Sequence, residues 1–479
     1  MSNIEITNLT FGYSADLLFD AANINVDDSW RLGLVGRNGR GKTTLLKLLL
    51  GQIDTEISVK SDKNFVYFPQ KIKNPSNLTM FELQNLANFE QWELERELTL
   101  LNVNLDVLWR NFDSLSGGEQ TKCLLAILFL EQSNFPLIDE PTNHLDLESR
   151  QIVANYLTKK SGFIVVSHDR NFLDLTTNHI LAIERNDLQL YQGNFSVYEQ
   201  EKNLRDAHET AENEKLKSSI SRLKQTALEK RDWSNQRENV VGATFVDKKV
   251  AKKQNQRAKS MEKRLDKAVS DKKKLLKNIE KIDDLTILNE KSHHKTLVKF
   301  DNVSLEFDDK LFEPIKFDVN QGEILAITGA NGTGKSSLLK ALTGNFAGEI
   351  SGQIEIPQNL KISAVSQIYE RSGNLRDFAV TEKLDVETFL SNLRKLGMER
   401  KTFDVPIEKM SQGQQKKIEL AKSLSQPANL YIWDEPLNYL DVFNHEQIVK
   451  LIQNFKPTMI IVEHNQDFIK KVATESVGL

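Results

Sequence analysis

Cysteine is almost absent from this chain of 479 residues, which contains Cys123 and no other thiol. One thiol cannot form an internal disulfide, and it cannot hold an iron–sulfur cluster or a cysteine-rich zinc site. Cys123 lies in a run of apolar residues that is patterned as a helix, so we expect it to be a small buried hydrophobic residue. The cysteine count therefore excludes metal-cluster proteins and disulfide-stabilised scaffolds.

Long apolar runs are also missing. The longest uninterrupted one, Cys123 to Leu130, has eight residues, whereas a membrane-spanning helix needs about 20. Residues 1–5 lack the basic start and apolar core of a signal peptide, and Ser2 stands where myristoylation requires glycine. With 39% apolar and 27% charged residues, the composition is that of an ordinary globular protein. We therefore expect a cytoplasmic protein with no membrane domain.

Glycine and proline are nearly absent from one internal stretch, Glu199 to His294, where only Gly242 occurs. The stretch is rich in Lys, Glu, Gln and Ala, and its apolar residues recur at heptad spacing on both sides of a break at residues 239–247. Two such seams predict an antiparallel helical hairpin over residues 199–292. The break contains apolar residues that predict an apolar tip: Val240, Val241 and Phe245.

Acidic residues are scarce in the second half of this hairpin. Residues 248–282 contain 14 Lys and Arg against 4 Asp and Glu, whereas residues 201–247 contain nine of each sign. This basic segment lies in a chain whose formal net charge is −4. Such segregation of charge indicates a surface that binds a polyanion. The alternative is a spacer whose charges only solvate a long helix.

What the sequence does contain is a repeated set of nucleotide-site motifs. The glycine-rich segment Gly36 to Thr43 recurs 293 residues later as Gly329 to Ser336. A second spacing, of 23 residues, is the same in both halves, from Ser116 to Asp139 and from Ser411 to Asp434. Each half opens with alternating strands and then alternates helices and strands. We therefore predict two α/β ATP-hydrolysing domains with mainly parallel core sheets, residues 1–198 and 293–479, joined by the helical hairpin.

Each glycine-rich segment is suited to bind phosphates. Its glycines permit close backbone approach, its amides point at the β and γ phosphates, and it leads into a helix whose N-terminus is electropositive. Lys42 and Lys335 would neutralise phosphate charge. We predict a Mg²⁺ ion in each half, held by hydroxyl and carboxylate oxygens of Thr43 and Asp139 in the first and of Ser336 and Asp434 in the second.

A glutamate follows each of these aspartates directly, Glu140 in the first half and Glu435 in the second. At the end of a strand beside the γ-phosphate, a glutamate can orient and polarise the attacking water. We therefore predict that both glutamates are catalytic and that the reaction is the hydrolysis of ATP to ADP and phosphate.

The assembled motifs resemble those of the ABC ATPases. Leu115-Ser116-Gly117-Gly118-Glu119 matches the signature of that family, and His168 and His464 stand 28 and 29 residues after the catalytic glutamates. The resemblance implies that these histidines are catalytic switch residues. It also implies that Gln70 and Gln367 sense nucleotide and bind Mg²⁺. Finally, it implies that Tyr13 and Phe307 stack on adenine, although either could equally be a strand residue packed in the core.

In that family the phosphate loop of one cassette binds ATP against the signature of the other. The resemblance therefore implies a monomer with two ATP sites at an internal interface. Besides the glutamines and aromatic residues, the ATP-binding residues are predicted to be Gly36, Asn38, Gly39, Gly41, Lys42, Thr43, Thr44, Ser116, Gly117 and Gly118 in the first cassette, and Gly329, Asn331, Gly332, Gly334, Lys335, Ser336, Ser337, Ser411 and Gly413 in the second. The second signature, Met410-Ser411-Gln412-Gly413-Gln414, has glutamine where glycine is usual. We predict slower hydrolysis where Lys42 meets Ser411.

Among ABC proteins the chain resembles the ABC-F group, in which a helical linker joins tandem cassettes. The matching segments are Asp139 to Asp146 and Gly193 to Tyr198. Members enter the tRNA exit site of the bacterial 70S ribosome, which implies that the linker contacts large-subunit rRNA and P-site tRNA. The signature serine follows the nucleotide-sensing (Q-loop) glutamine by 46 residues in the first cassette, from Gln70 to Ser116, and by 44 in the second, from Gln367 to Ser411. These spans leave no space for the arm subdomain that housekeeping members insert there. Two further segments, Phe89 to Leu101 and Ile432 to Asp441, resemble the Lsa-type resistance factors.

This last resemblance implies protection of the peptidyl-transferase centre from lincosamide, pleuromutilin and streptogramin A antibiotics. The tip residues Val240, Val241 and Phe245 would approach that centre, and ATP binding would favour the ribosome-bound form. Three alternatives stay open: a translation factor that relieves stalled ribosomes without conferring resistance, a DNA-associated ABC ATPase, and a transporter ATPase whose membrane domains are separate subunits. The tip residues could instead only hold the hairpin turn together.

Overall fold

The computed structural model describes residues 3–13, 16–53, 58–143, 145–184, 187–238, 283–307, 309–330, 332–367 and 371–479. The chain divides into two compact units. One comprises residues 1–196 and 282–479 and contains both predicted cassettes, and the other comprises residues 197–281. Within the described residues, no helix combines the length and the apolar character that crossing a membrane requires.

The first cassette contains two sheets. Its strands are β1 (Asn3–Tyr13), β2 (Asp16–Asp27), β3 (Arg31–Val35), β4 (Ser58–Lys60), β5 (Asn64–Phe68), β6 (Asn134–Asp139), β7 (Phe163–Val166), β8 (His179–Glu184) and β9 (Asp187–Gln192). They form an antiparallel sheet in the order β2-β1-β4 and a six-stranded sheet in the order β5-β6-β7-β3-β8-β9. In the larger sheet all neighbours are parallel except β8 and β9. The predicted α/β domain with a mainly parallel core sheet is confirmed.

The order of strands explains where the motifs meet. Residues of β3, β6 and β7 such as Leu34, Ile138 and Val165 are buried, as expected for parallel strands covered on both faces. The carboxyl ends of parallel strands lie at one edge of a sheet, where ligands bind in such folds. The segments after β3, β6 and β7 therefore converge at that edge, and they are the ones that carry the first set of nucleotide motifs.

The first cassette also contains α-helices. They are α1 (Lys42–Leu49), α2 (Thr79–Gln84), α3 (Gln91–Leu100), α4 (Gly117–Leu128), α5 (Leu147–Thr158) and α6 (Arg170–Thr176), with short 3₁₀ helices at Leu105–Trp109 and Phe112–Ser114. Cys123 lies in α4 and is fully buried, which confirms its expected role as a small hydrophobic residue.

A long helix, α7 (Phe195–Glu238), follows the first cassette. It contains 44 residues, which corresponds to roughly 66 Å at about 1.5 Å per residue. The chain is thus helical from just before the predicted start of the hairpin, residue 199, up to Glu238. The predicted tip with Val240, Val241 and Phe245, and the second helix of the predicted hairpin, lie outside the described residues.

The second cassette repeats the architecture of the first. Its strands are β10 (Thr296–Glu306), β11 (Ile315–Asn320), β12 (Ile324–Thr328), β13 (Glu349–Glu355), β14 (Ile362–Val365), β15 (Leu430–Asp434), β16 (Met459–Val462) and β17 (Glu475–Gly478). They form a sheet in the order β11-β10-β13 and a parallel sheet in the order β14-β15-β16-β12-β17. The helices are α8 (Lys335–Leu342), α9 (Leu375–Thr381), α10 (Val386–Lys395), α11 (Gln412–Ser425), α12 (Val442–Phe455) and α13 (Gln466–Val472), with 3₁₀ helices at Arg400–Asp404 and Ile407–Lys409.

The second cassette begins earlier than residue 293, the boundary predicted from the sequence. Leu285 and Ile287 are buried in its hydrophobic core, and the Leu288 amide donates to the carbonyl of Leu424 at 3.3 Å. The segment around residue 287 is extended and packs through alternate residues, a pattern too short to stand out beside the long helical stretch before it.

Candidate ATP-binding sites

The two phosphate loops have the same backbone geometry. Each follows a buried strand and ends at a helix, α1 or α8, and their inner glycines lie in the left-handed region: φ is 85° at Gly39, 93° at Gly41, 84° at Gly332 and 87° at Gly334. Residues with a side chain rarely adopt this conformation, whereas glycine adopts it readily. The resulting turn directs backbone N–H groups and the helix N-terminus towards a bound anion. Thr43, Thr44, Ser336 and Ser337 lie in the first turns of α1 and α8.

The lysines of the two phosphate loops are both buried, and each contacts the backbone of its own loop. Lys42 Nζ donates to the carbonyl of Gly36 at 2.7 Å, and Lys335 Nζ donates to the carbonyl of Gly329 at 3.0 Å. Burial lowers the pKa of both lysines. An ammonium group in this position can neutralise phosphates that are bound by the loop amides.

Hydroxyl and carboxylate oxygens meet below each loop, where Mg²⁺ was predicted. Thr43 Oγ1 donates to Asp139 Oδ2 at 3.0 Å, and the Ser336 hydroxyl bonds to Asp434. In the part of the chain that the structure describes, Gln70 Oε1 and Asp434 Oδ1 are buried without a hydrogen-bond partner. Buried oxygens of this kind need a donor or a cation, and Mg²⁺ prefers oxygen ligands. The residues present therefore fit the metal.

The two glutamates predicted to be catalytic lie directly after β6 and β15. Their φ angles are positive, 52° at Glu140 and 46° at Glu435, which is uncommon for a glutamate and occurs here at equivalent positions of both cassettes. Strained backbone of this kind is found where the structure must aim a side chain. His168 Nε2 lies 3.2 Å from Glu140 Oε1, and His464 Nε2 lies 3.5 Å from Glu435 Oε1. Each predicted glutamate–histidine pair is thus brought together.

The two glutamates differ in their electrostatic surroundings. Burial, together with the charge of Asp139, raises the pKa of Glu140 to about 8. Burial also acts on Glu435, but the contact with His464 and the hydrogen bond from Gln367 outweigh it and hold the pKa of Glu435 below its usual range. Gln367 Nε2 donates to Glu435 Oε2 at 2.8 Å, a bond that does not involve the amide oxygen of Gln367, which is the atom that would bind Mg²⁺.

The arrangement can carry out in-line hydrolysis at each site. MgATP, when bound, would supply the electrophilic γ-phosphate and the cation that neutralises its charge. The predicted catalytic glutamate would accept a hydrogen bond from the attacking water and take up its proton, and the histidine beside it would fix the orientation of that carboxylate. The phosphate-loop lysine would offset the charge that develops on the departing ADP.

The first phosphate loop lies against the second cassette. The Asn38 amide donates to Asp441 Oδ2 at 2.8 Å, and Asn38 Nδ2 donates to the carbonyl of Tyr439 at 3.0 Å. Asn38 Nδ2 would also be 3.4 Å from a Cβ atom added at Gly413 of the second signature. The same interface includes Arg170, whose guanidinium donates to Glu446 at 2.8 Å. The loop of one cassette therefore meets the signature region of the other, in the head-to-tail arrangement.

Asp441 is central to this contact and is 1% exposed. Burial opposes its ionisation, but the charge of Lys417, the amide of Asn38 and the charge of Lys42 outweigh it and lower its pKa to about 2. Asp441 also caps α12 by accepting a hydrogen bond from the Asn444 amide at 2.9 Å. A carboxylate thus anchors the phosphate loop from the opposite cassette.

Both signature serines cap a helix. Ser116 precedes α4 and Ser411 precedes α11, and each accepts a hydrogen bond at 3.3 Å from the amide three residues later. Residues of each signature therefore lie at a helix N-terminus, where Gly117, Gly118 and Gly413 leave the backbone accessible to an anion. Gln412 is exposed at the first turn of α11.

Two of the predicted ATP-binding residues are not fully described. The side chain of Tyr13 and all of Asn331 lie outside the described residues. Phe307 is 57% exposed, so it is not the core residue that was its alternative interpretation, and its ring packs against that of Phe346 at 5.0 Å between centroids.

Some residues of these sites were missed by the sequence motifs. Tyr67 donates its hydroxyl to Asp139 Oδ2 at 3.0 Å, and Lys416 donates to the backbone carbonyl of Asp434 at 3.1 Å. The signal for Tyr67 was its place on the strand that ends just before Gln70. For Lys416 the signal was a charged residue on the buried face of an otherwise apolar helix.

A profile of the family described as "ABC transporter" matches residues 19–143 and 312–438. The chain is similar to "Ribosome protection protein VmlR" of Bacillus subtilis, with 28% identity over 486 residues, 99% of this chain and 86% of that protein. It is also similar to "ATP-binding protein Uup" of Buchnera aphidicola, with 29% identity over 504 residues, 99% of this chain and 80% of that protein.

Solved structures share the fold. One is described as "RNase-L Inhibitor", with a TM-score of 0.63, 20% identity, and coverage of 99% of this chain and 87% of that chain. Another is the archaeal ribosome recycling factor aABCE1 in complex with the ribosomal stalk protein aP1, with a TM-score of 0.63, 19% identity, and coverage of 98% and 87%. At these identities the likeness shows the arrangement of two cassettes in one chain.

Proposed function

We propose that this chain, since it belongs to the ABC transporter family of ATPases, uses ATP hydrolysis to act on the bacterial 70S ribosome. The observation that carries the proposal is the head-to-tail contact between cassettes, in which Asn38 binds Asp441, 403 residues further along the chain. When two cassettes are paired within one chain, ATP bound between them controls whether they close on each other. The long helix α7 follows directly from the first of them, so closure can be passed to the linker.

The linker supports a ribosomal partner. Residues 248–282 carry 14 basic and 4 acidic residues, a charge suited to the phosphates of large-subunit rRNA and P-site tRNA. A relative whose alignment covers 99% of this chain, at 28% identity, is named as a ribosome protection protein. We propose that the chain is cytoplasmic, monomeric and dependent on Mg²⁺, and that it enters the tRNA exit site as an ABC-F protein.

The finer proposal is protection of the peptidyl-transferase centre from lincosamide, pleuromutilin and streptogramin A antibiotics. In this proposal Val240, Val241 and Phe245 form the tip that contacts tRNA or rRNA near that centre, and hydrolysis releases the protein. The similarity to a ribosome protection protein and the absence of an arm subdomain between Gln70 and Ser116 support it.

Binding to ribosomes is tested by sedimentation of a chain that carries both Glu140→Gln and Glu435→Gln. These substitutions remove the predicted bases but keep the loops that bind ATP, so the closed form should accumulate on ribosomes with ATP and not with ADP. The matched control carries Glu131→Gln and Glu387→Gln, which change two exposed glutamates outside the motifs. Absence of ATP-dependent sedimentation would overturn the proposal.

A translation factor without a role in resistance is the second candidate, because similarity to Uup is as high as similarity to the protection protein. Expression in a susceptible bacterium separates the two. Protection predicts a higher inhibitory concentration for at least one drug of the three classes, and loss of that increase in the Glu140→Gln and Glu435→Gln chain. Ribosome binding without any increase would favour the translation factor.

A further inference from the structure

Lys416 is a buried lysine beside the second ATP site, and it is 2% exposed. Its Nζ donates to the backbone carbonyl of Asp434 at 3.1 Å and to that of Ser366 at 3.4 Å. Burial lowers the pKa of Lys416 to about 8, and the charges of four carboxylates act against burial and favour the ammonium form: Asp434, Glu463, Glu435 and Glu419. A charge is retained at such a depth only where other groups compensate it, so this environment is specific to a cation.

The two carbonyls that Lys416 binds belong to residues beside the second ATP site. We call this site the Lys335 site, after its phosphate-loop lysine, and the other one the Lys42 site. Asp434 ends β15 and bonds to the Ser336 hydroxyl. Ser366 directly precedes Gln367, whose amide donates to Glu435. Lys416 therefore ties α11 to both strand ends that position the carboxylates of this site.

The beginning of the same helix belongs to the other site. Ser411 caps α11, and Gly413 lies against Asn38 of the first phosphate loop. Lys417, the residue next to Lys416, stabilises the charge of Asp441, which holds that loop. Because a helix moves as a rigid body over so few residues, a shift at Ser411 is passed on to Lys416.

The first cassette has no equivalent of this lysine. Thr121 stands five residues after Ser116, as Lys416 does after Ser411, whereas the next position is lysine in both cassettes, Lys122 and Lys417. A threonine side chain is too short to span the distance that a lysine spans. The two signature helices thus differ at the residue that, in the second cassette, contacts the strand ends of its own sheet.

We propose that Lys416 is a positioning residue that couples the two ATP sites. By tying α11 to Asp434 and Ser366, it makes hydrolysis at the Lys335 site depend on whether the second signature has closed on nucleotide at the Lys42 site. The proposal rests on ATP hydrolysis and not on the ribosome, so it can fail without affecting the proposed partner, and the reverse also holds.

The test compares two backgrounds in which the Lys335 site hydrolyses ATP. Glu140→Gln keeps unhydrolysed ATP at the Lys42 site, and Lys42→Met prevents ATP from binding there. The ratio of their turnover numbers measures the coupling. We expect Lys416→Met to lower this ratio by about fivefold or more, with a larger change in kcat than in KM, and Lys416→Arg to restore most of it.

A second readout does not depend on activity. In the chain with Glu140→Gln and Glu435→Gln, titration with a fluorescent ATP analogue gives two stepwise dissociation constants, and Lys416→Met should reduce the cooperativity between them. The matched control is Lys409→Met, an exposed lysine two residues before Ser411. If the methionine variant does not fold, Lys416→Thr installs the residue of the first cassette. An unchanged ratio and unchanged cooperativity in a folded variant, or an equal loss in the Lys409 control, would overturn the proposal.

Discussion

In the first ATP site Glu140 is followed two residues later by Thr142, whose hydroxyl lies 3.1 Å from that of Ser167. In the second site neither hydroxyl is present. Leu437 stands two residues after Glu435, and Glu463 directly precedes His464, as Ser167 precedes His168 in the first. Both predicted catalytic carboxylates are partly buried, yet burial dominates only at the first, where it raises the pKa of Glu140 to about 8. At the second, the contact with His464, the hydrogen bond from Gln367 and the nearby charge of Lys416 outweigh burial.

The difference teaches that identical motifs do not make identical sites. Residues between the motifs decide whether a buried glutamate is ionised and able to accept a proton from water. Together with the altered second signature, which faces the Lys42 site, these surroundings lead us to expect that the Lys335 site hydrolyses ATP faster.

The largest expected effect is on steady-state hydrolysis. Glu435→Gln removes the base of the faster site and should reduce total phosphate release by about tenfold or more. Glu140→Gln should reduce it far less, because the slower site contributes little. Phosphate release at saturating ATP measures both, and equal losses in the two variants would remove the basis for ranking the sites.

The interface should respond to substitution of Asp441. Asp441→Ala leaves Lys417 buried without its charge partner, so we expect a loss of about 3 kcal/mol or more in the free energy of unfolding. Asp146 is the equivalent residue of the first cassette and is less buried, and Asp146→Ala should cost less. Chemical denaturation measures the two variants side by side. A larger effect at Asp146 would contradict the described asymmetry.

The cassettes should also differ in their response to acid. Glu97 is 1% exposed in α3 and accepts hydrogen bonds from the Tyr156 hydroxyl at 2.7 Å and from Lys160 at 2.6 Å. Burial raises its pKa, but these bonds outweigh burial and hold the pKa below its usual range. The stabilisation is therefore present above the unfolded-state pKa and is lost as pH falls through the folded-state value.

Asn392 holds the matching position in α10 and bonds to Ser425 at 3.0 Å without a charge. Glu97→Gln should cost about 1–3 kcal/mol at neutral pH and should make the stability of the first cassette less dependent on pH below about 4.5. Asn392→Asp is the matched reversal and should introduce such a dependence. Denaturation at several pH values measures both, and an unchanged pH dependence in the Glu97 variant would count against this assignment.

The smallest expected effect is at Tyr67, whose counterpart in the second cassette is Ala364, each three residues before the Q-loop glutamine. Tyr67→Phe removes one donor to Asp139 and should cost about 1 kcal/mol. Hydrolysis at the first site, measured in the Glu435→Gln background, should change by about fivefold or less. A complete loss of that activity would show that the hydroxyl has a larger role.

Much of each site was predictable because parallel strands bring their carboxyl ends to one edge. Lys42, Glu140 and His168 were therefore expected to meet, and they do, as do their counterparts in the second cassette. The tandem α/β fold followed from the repeat of the same motifs and from the apolar strands before them.

Other features were not predictable from spacing. The bond between Asn38 and Asp441 joins residues 403 positions apart, and no local pattern encodes such a contact. The reach of Lys416 depends on how deeply α11 packs against β15, which the helical pattern does not specify. The start of the second cassette near Leu285 was missed because a short extended segment gives a weak periodic signal beside a long helical one.

The pairing of the cassettes is tested most directly by Ser411→Arg, which blocks the second signature, in two backgrounds. In Glu435→Gln the remaining hydrolysis belongs to the Lys42 site, and in Glu140→Gln it belongs to the Lys335 site. Head-to-tail pairing predicts that Ser411→Arg abolishes phosphate release in the first background. In the second background it removes only the part of the release that depends on closure of the Lys42 site, so a measurable rate remains. Loss of phosphate release only in the Glu140→Gln background would show that the signature serves its own cassette, and would contradict the account.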